Sequence, residues 1–425
     1  TAADGAQSVY AADMDGDGDV DVLSASGVDD KIAWYKNLDG AGTFGPQQVI
    51  STAADSAESV YAADLDGDGD VDVLSASFRD DKIAWYKNID GAGTFGPQQV
   101  ISAAADAARS VYAADLDGDG DLDVLSASRN DARIAWYKNT DGAGTFGAQQ
   151  VISTFADHAS SVYAADVDGD GDMDVLSASQ YDNKIAWYKN TDGAGTFGPQ
   201  QVISTAALYA NSVYAADLDG DGDMDVLSAS STEDKIAWYK NTDGAGTFGP
   251  QQVISTAADG ANSVYAADVD GDGDLDVLSA SIIDNKIAWY KNITIPPDAT
   301  PTPTPTLAPT PIPFGPQQVI SVLADDARSV YAADLDGDGD VDVLSASYDD
   351  DKIAWYKNTD GAGTFGEQQV ISTAGDAVWS VYAADLDSDG DLDVLSASRH
   401  DNKIAWYKNT DGAGTFGEQI GRAHV

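Results

Sequence analysis

The sequence predicts an all-β chain closed into a β-propeller of eight four-stranded antiparallel blades. Three observations carry this: one unit recurs eight times, each unit holds four short β-like runs, and no segment keeps a helical period. Successive units are 51 residues apart, except for a 66-residue step between Asp268 and Asp334. A period of this size marks a repeat architecture, in which each unit buries its core against its neighbours.

In the first unit the runs are 8–14, 20–26, 31–37 and 44–51. Val, Ile, Tyr, Trp and Phe dominate them, and Asp/Gly clusters separate them, as expected of strands. Tyr10, Ile32, Trp34 and Tyr35 leave both faces of the small sheet partly apolar, so one unit cannot bury itself. Four strands per unit, stacked radially, make a propeller blade. With 43% hydrophobic residues in 425, the chain has ample material for a core.

Between the first and second runs of every unit lies a nine-residue acidic loop, DxDxDGxxD. Its aspartates are Asp13, Asp15, Asp17, Asp19 and Asp21, then Asp64, Asp66, Asp68, Asp70 and Asp72, then Asp115, Asp117, Asp119, Asp121 and Asp123. The fourth and fifth copies hold Asp166, Asp168, Asp170, Asp172 and Asp174, and Asp217, Asp219, Asp221, Asp223 and Asp225. The sixth holds Asp268, Asp270, Asp272, Asp274 and Asp276. The last two hold Asp334, Asp336, Asp338, Asp340 and Asp342, and Asp385, Asp387, Asp389, Asp391 and Asp393. Carboxylates at positions 1, 3, 5 and 9, with a backbone carbonyl at position 7, form an oxygen set suited to Ca²⁺. Glycine at position 6 permits the sharp turn at positive φ. Two carboxylates about 4 Å apart repel by roughly 4 kcal/mol at an effective dielectric near 20, so a cation is expected in each loop. About one Ca²⁺ per repeat follows.

The loops supply 40 of the 72 acidic residues, so much of the formal charge of −50 is ligand charge. The remaining acidity argues against nucleic acid and anionic membrane surfaces. No cysteine is present, which excludes disulfides and thiolate metal sites, and no apolar run approaches the ~20 residues that span a bilayer. No membrane insertion is expected, and the chain is expected to be monomeric.

The unit SVYAADLDGDGDVDVLSAS…KIAWYKNTDGAGTFG resembles the FG-GAP and VCBS repeats of integrin α-subunit heads and many bacterial extracellular proteins. The resemblance covers residues 1–419 and implies Ca²⁺ in the acidic loops, an extracellular location, and adhesion or ligand binding rather than catalysis. Ser388, in place of the first loop glycine in the eighth copy, departs from the pattern at a position that supplies no side-chain ligand.

Three irregularities break the regular array. Residues 293–313 are rich in Pro and Thr, a semi-rigid extended segment that replaces the short turn before the fourth run of unit six. It is read as an insert in one ring; the alternative is a linker splitting two tandem propellers. Residues 420–425, IGRAHV, abandon the repeat and are read as a non-native tail. The chain also opens in mid-repeat and is expected to be a piece of a longer protein.

Two windows vary between copies: the turn joining the second and third runs, and the crossover to the next unit. In an antiparallel meander both emerge on the face opposite the acidic loops. Phe78, Arg79, Arg129, Tyr181, Tyr348, Trp379, Arg399 and His400 are therefore expected to be exposed there as a possible ligand face for protein or carbohydrate. Catalysis has little support. The histidines, His158, His400 and His424, have no partner at an interpretable spacing, and the sequence shows no arginine cluster for a substrate carboxylate. Asn292-Ile-Thr294 is a lone glycosylation sequon. The expected function is a calcium-rigidified extracellular binding module. The alternatives are a structural spacer and an accessory domain of an enzyme outside this chain.

Overall fold

The computed structural model describes residues 6–38, 45–293, 314–387, 389–401 and 403–417. It is all-β, an eight-bladed propeller. The first blade is the antiparallel meander β1 (Ala6–Ala12), β2 (Asp21–Ser26), β3 (Lys31–Tyr35) and β4 (Gln48–Ser51), paired in that order. The next six blades repeat it, and the eighth shows three strands among the described residues. β1 and β3 stop earlier than the sequence runs suggest, for a reason at the acidic loop, while β2 and β4 start later. The Met14 N–H donates to Asp21 at 2.8 Å and the Asn37 N–H to the same carboxylate at 2.7 Å, so the loop carboxylate takes both N–H groups just beyond the ends of β1 and β3.

The β1-type strands line the axis. Their tyrosines form a closed ring, from Tyr10–Tyr61 at 5.1 Å round to Tyr331–Tyr382 at 4.9 Å and Tyr10–Tyr382 at 6.1 Å. Register places Tyr10 beside Leu23 and Leu23 beside Trp34. Each core lies between blades: Leu23, Ala25, Ile32 and Trp34 of one pack on Val60, Val73, Ala84 and Tyr86 of the next. Trp34 meets Phe95 of the next blade edge-on at 6.0 Å. Gly93 is required there, because a Cβ would overlap the Trp34 ring. Asn88 latches the blades by donating to the Met14 carbonyl at 2.7 Å. At the seam, Asn37 donates to the Leu386 carbonyl, and Val22 and Tyr35 pack on Leu395 and Trp406, closing the ring.

The strand before the Pro/Thr segment, Lys286–Tyr290, pairs with the strand after it, Gln318–Ser321, and Asn292 bridges Phe314. Residues 294–313 themselves, Ser388 and the tail 420–425 lie outside the described residues. Asn292 of the sequon is 1% exposed; its amide donates to the Leu218 carbonyl of the preceding blade, as the other latches do, and to the Leu275 carbonyl at 3.1 Å.

Candidate functional site

The second loop shows the geometry shared by the others. Asp64 accepts the Gly67 and Gly69 N–H groups at 2.8 and 3.0 Å, and Asp68 accepts that of Asp70 at 3.1 Å. Gly67 and Gly69 sit at φ 71° and 93°, the left-handed region that favours glycine. Asp72, at the start of the next strand, is buried and accepts from Leu65 and Asn88 at 3.0 and 2.7 Å. Burial pushes its carboxyl up to about 7, against the pull of those two N–H groups.

Carboxylate oxygens converge to within 4.8 Å in Asp13, Asp15 and Asp17 of the first loop and in Asp64, Asp66 and Asp72 of the second. The third, fourth and fifth loops gather Asp115, Asp117 and Asp123, then Asp166, Asp168 and Asp174, then Asp217, Asp219 and Asp225. The seventh-position side chain goes elsewhere: Asp70 packs against Gly91 of the same repeat, whose missing Cβ leaves it room.

A lysine that sequence reasoning missed completes the site. The Lys87 ammonium pairs with Asp66 and with Asp68 at 2.8 Å, and these bonds hold Asp68 below the ordinary carboxylate range. The equivalent lysines make the same pairs with the third- and fifth-position aspartates, from Lys36 to Lys408. The signal was in the sequence, since a Lys-Asn pair closes every third run. One lysine does not satisfy the loop. The Oδ1 atoms of Asp15, Asp66, Asp117, Asp168, Asp219, Asp270, Asp336 and Asp387 are all buried without a hydrogen-bond partner. An all-oxygen set, converging, with excess negative charge and at least one orphaned oxygen per loop, fits a hard divalent cation.

On the opposite face the two variable windows join. The Phe78 and Arg79 N–H groups donate to the Ser56 and Asp55 carbonyls at 2.9 and 3.1 Å. The last residue of the second turn is structural: Asp81 sits at φ 60° and accepts the Ala107 N–H of the next crossover at 3.0 Å. Exposure is less general than the sequence suggests. Arg79, Tyr181 and His400 are exposed, whereas Phe78, Arg129, Tyr348, Trp379 and Arg399 are half-buried. For Tyr348 and Trp379 the reason is lateral packing between neighbouring blades. Tyr348 and Trp379 meet edge-on at 5.8 Å, and the Tyr348 hydroxyl lies 2.9 Å from His400 Nε2. Arg328 lies 5.0 Å from the Tyr348 ring and 4.7 Å from that of Trp379, and Arg399 lies 5.3 Å from Trp379. A second group stacks His158 on Tyr181 at 3.5 Å, with Tyr209 at 6.1 Å from Tyr181.

Six stretches match the FG-GAP-like repeat: residues 13–75, 64–126, 115–177, 166–228, 217–279 and 334–396. Together they span well over half of the chain, which therefore belongs to the FG-GAP repeat family. No curated protein matches it. Among solved structures it resembles an Agrocybe aegerita lectin described as recognising non-reducing terminal N-acetylglucosamine. That likeness has a TM-score of 0.56 at 18% identity, over 86% of this chain and 94% of that one. The V. cholerae biofilm matrix protein Bap1 aligns at 0.54 and 14% identity, over 92% and 84%. The rhamnogalacturonan lyase YesW aligns at 0.52 and 15%, over 94% and 71%. At these identities the likeness is one of fold. No helix among the described residues is long and apolar enough to cross a membrane.

Proposed function

We propose that this chain is a non-catalytic ligand-binding or adhesion module of an extracellular protein, stiffened by about one Ca²⁺ per repeat. The observation that carries this reading is the division of the disc. One face repeats the same oxygen cage, while the other gathers the copy-to-copy differences, among them the aromatic and arginine residues that anchor recognition surfaces. Asp15, Asp66 and their counterparts, with their orphaned oxygens, are the central ligands, and the first-, fifth- and ninth-position aspartates complete the set. Calcium loops of modest affinity operate at about millimolar Ca²⁺, which suits an extracellular setting. The lectin and matrix-protein likenesses are consistent with a protein or carbohydrate ligand.

Calorimetric calcium titration of the whole chain, with melts in EDTA and in millimolar calcium, tests the cage half. Near eight ions and a large upward melting shift are expected; no binding and no shift would reduce the loops to acidic turns. A protein and glycan array tests the other half, and silence across it would favour a spacer.

A further inference from the structure

The cations of this chain divide into two populations. All fifteen lysines form ion pairs with acidic residues of their own repeat, eight at the cages and seven beside the variable turns, and Arg133 takes a lysine's place in the latter set. Of the other arginines, Arg422 lies in the tail, and the remaining five all stand on the variable face: Arg79, Arg109, Arg129, Arg328 and Arg399. Arg109 and Arg328 belong to the β1-type strands at the mouth of the axis. The others belong to the adjoining turns.

The fold therefore assembles the arginine cluster that the sequence does not show. The charges of Arg109, Arg399, Arg129 and Arg79 all act on one carboxyl, Glu58, opposing the upward push of burial. Arg109 reaches it at 3.4 Å. Arg328 pairs with Asp326 at 2.6 Å, yet its Nε is buried without a partner, as is that of Arg129. Arg79, Arg129 and Arg399 form no ion pair among the described residues. Arg328 and Arg399 both lie over the Trp379 ring, which leaves for a ligand the N–H edge of Arg399 and the part of Arg328's that Asp326 does not take. Such edges match a carboxylate or a sulfate. Tyr348, His400 and the buried, unpartnered Gln7 Oε1 add hydroxyl, imidazole and amide groups suited to sugar hydroxyls.

We propose that this mouth binds an acidic carbohydrate, its oxyanion held by Arg399 and Arg328 beside Trp379. This deepens the ligand-binding reading above and rests on it. The acidity of the chain does not forbid such a ligand. The cages lie at the other end of a seven-residue strand, roughly 20 Å away at ~3.3 Å per residue, beyond the Debye length of about 8 Å at physiological salt. On the same face Asp349 and Asp376 are exposed, Asp376 lies 3.5 Å from His400, and the charge of Asp326 is met by Arg328.

The test is binding of the whole calcium-loaded chain to immobilised polygalacturonate, dextran sulfate, neutral dextran and polyglutamate at physiological salt. Retention on one or both acidic polysaccharides is expected, with uronate or sulfate identified by which column binds. Arg399→Gln should weaken it at least tenfold with the melting temperature unchanged, and Arg399→Lys should recover only part. Equal retention on neutral dextran, equal retention on polyglutamate, or indifference to Arg399→Gln would overturn the proposal. If such an outcome comes with array ligands still bound at the variable face, the proposal alone fails. If the array is silent too, the module reading fails with it.

Discussion

Replacing Lys87 with methionine isolates what the cage lysine does. Methionine keeps an unbranched chain and removes the charge. In the parent the ammonium faces Asp66, whose side chain is 2% exposed, and Asp68, which is 36% exposed. Removing one partner of a fully buried ion pair costs about 3–5 kcal/mol, and of an exposed pair about 0–1. Lys87 is itself 34% exposed, so solvent screening places the loss between these limits, at about 2 kcal/mol. One kcal/mol moves the melting point of a 150–250-residue domain by ~2–4 °C and of a longer chain by less, so a fall of roughly 3 °C in EDTA is expected. In millimolar calcium the divalent ion supplies the missing charge, and the fall should shrink towards zero. That loop should also bind calcium more tightly, because no resident cation competes for Asp66. Differential scanning calorimetry with and without EDTA, plus a calcium titration, reads all three. An equal fall in both buffers, with unchanged affinity, would refute the idea that lysine and metal share the cage.

Three further outcomes follow from the same geometry. Trp187, 2% exposed and set against Phe248 at 6.4 Å, should cost about 3–5 kcal/mol when cut to alanine, read by chemical denaturation; a near-neutral change would contradict its inter-blade role. Asp66→Asn should remove one ion from the calcium stoichiometry while the other loops bind as before; an unchanged count would take Asp66 out of the ligand set. The third concerns pH. The ninth-position carboxyls, such as Asp72 and Asp225, are raised from 3.8 to about 7, so the metal-free fold holds their protons more tightly than the unfolded chain does. That stabilisation is complete below about pH 4 and is lost as pH rises through about 7. Melting points in EDTA should therefore fall across this window. The gap between calcium and EDTA should widen, since a bound cation needs these groups ionised; a gap constant with pH would exclude them as ligands.

The fold and the cage were legible because both are written locally. The acidic loop carries its ligands within nine residues, and the β-like runs carry their own period. Lys87 was not, although its copies are invariant. It lies 15 residues beyond Asp72, and only the pairing of Val73 with Tyr86 brings it back to the loop. The two glycines of the DGAGT turn were equally opaque: one makes room for Asp70 in its own blade, the other for Trp34 in the neighbouring blade. The half-burial of Trp379 and Tyr348 depends on contacts across a blade boundary, which repeat-by-repeat comparison cannot see. The arginine cluster is the extreme case. Arg399 is 341 residues from Glu58, and only ring closure lets its charge act there.

That closure also decides how the molecule bears force. At seven of the eight blade junctions the backbone runs continuously from one sheet to the next, so traction along the chain is carried by covalent bonds. At the seam it is carried by the Asn37 latch, the Tyr10–Tyr382 contact and a small apolar patch around Val22 and Tyr35. A pull on the two chain ends loads that clasp before any strand is peeled from its sheet. The ring thus has one junction that non-covalent contacts alone hold shut, and the side chains named there are among those that set its resistance.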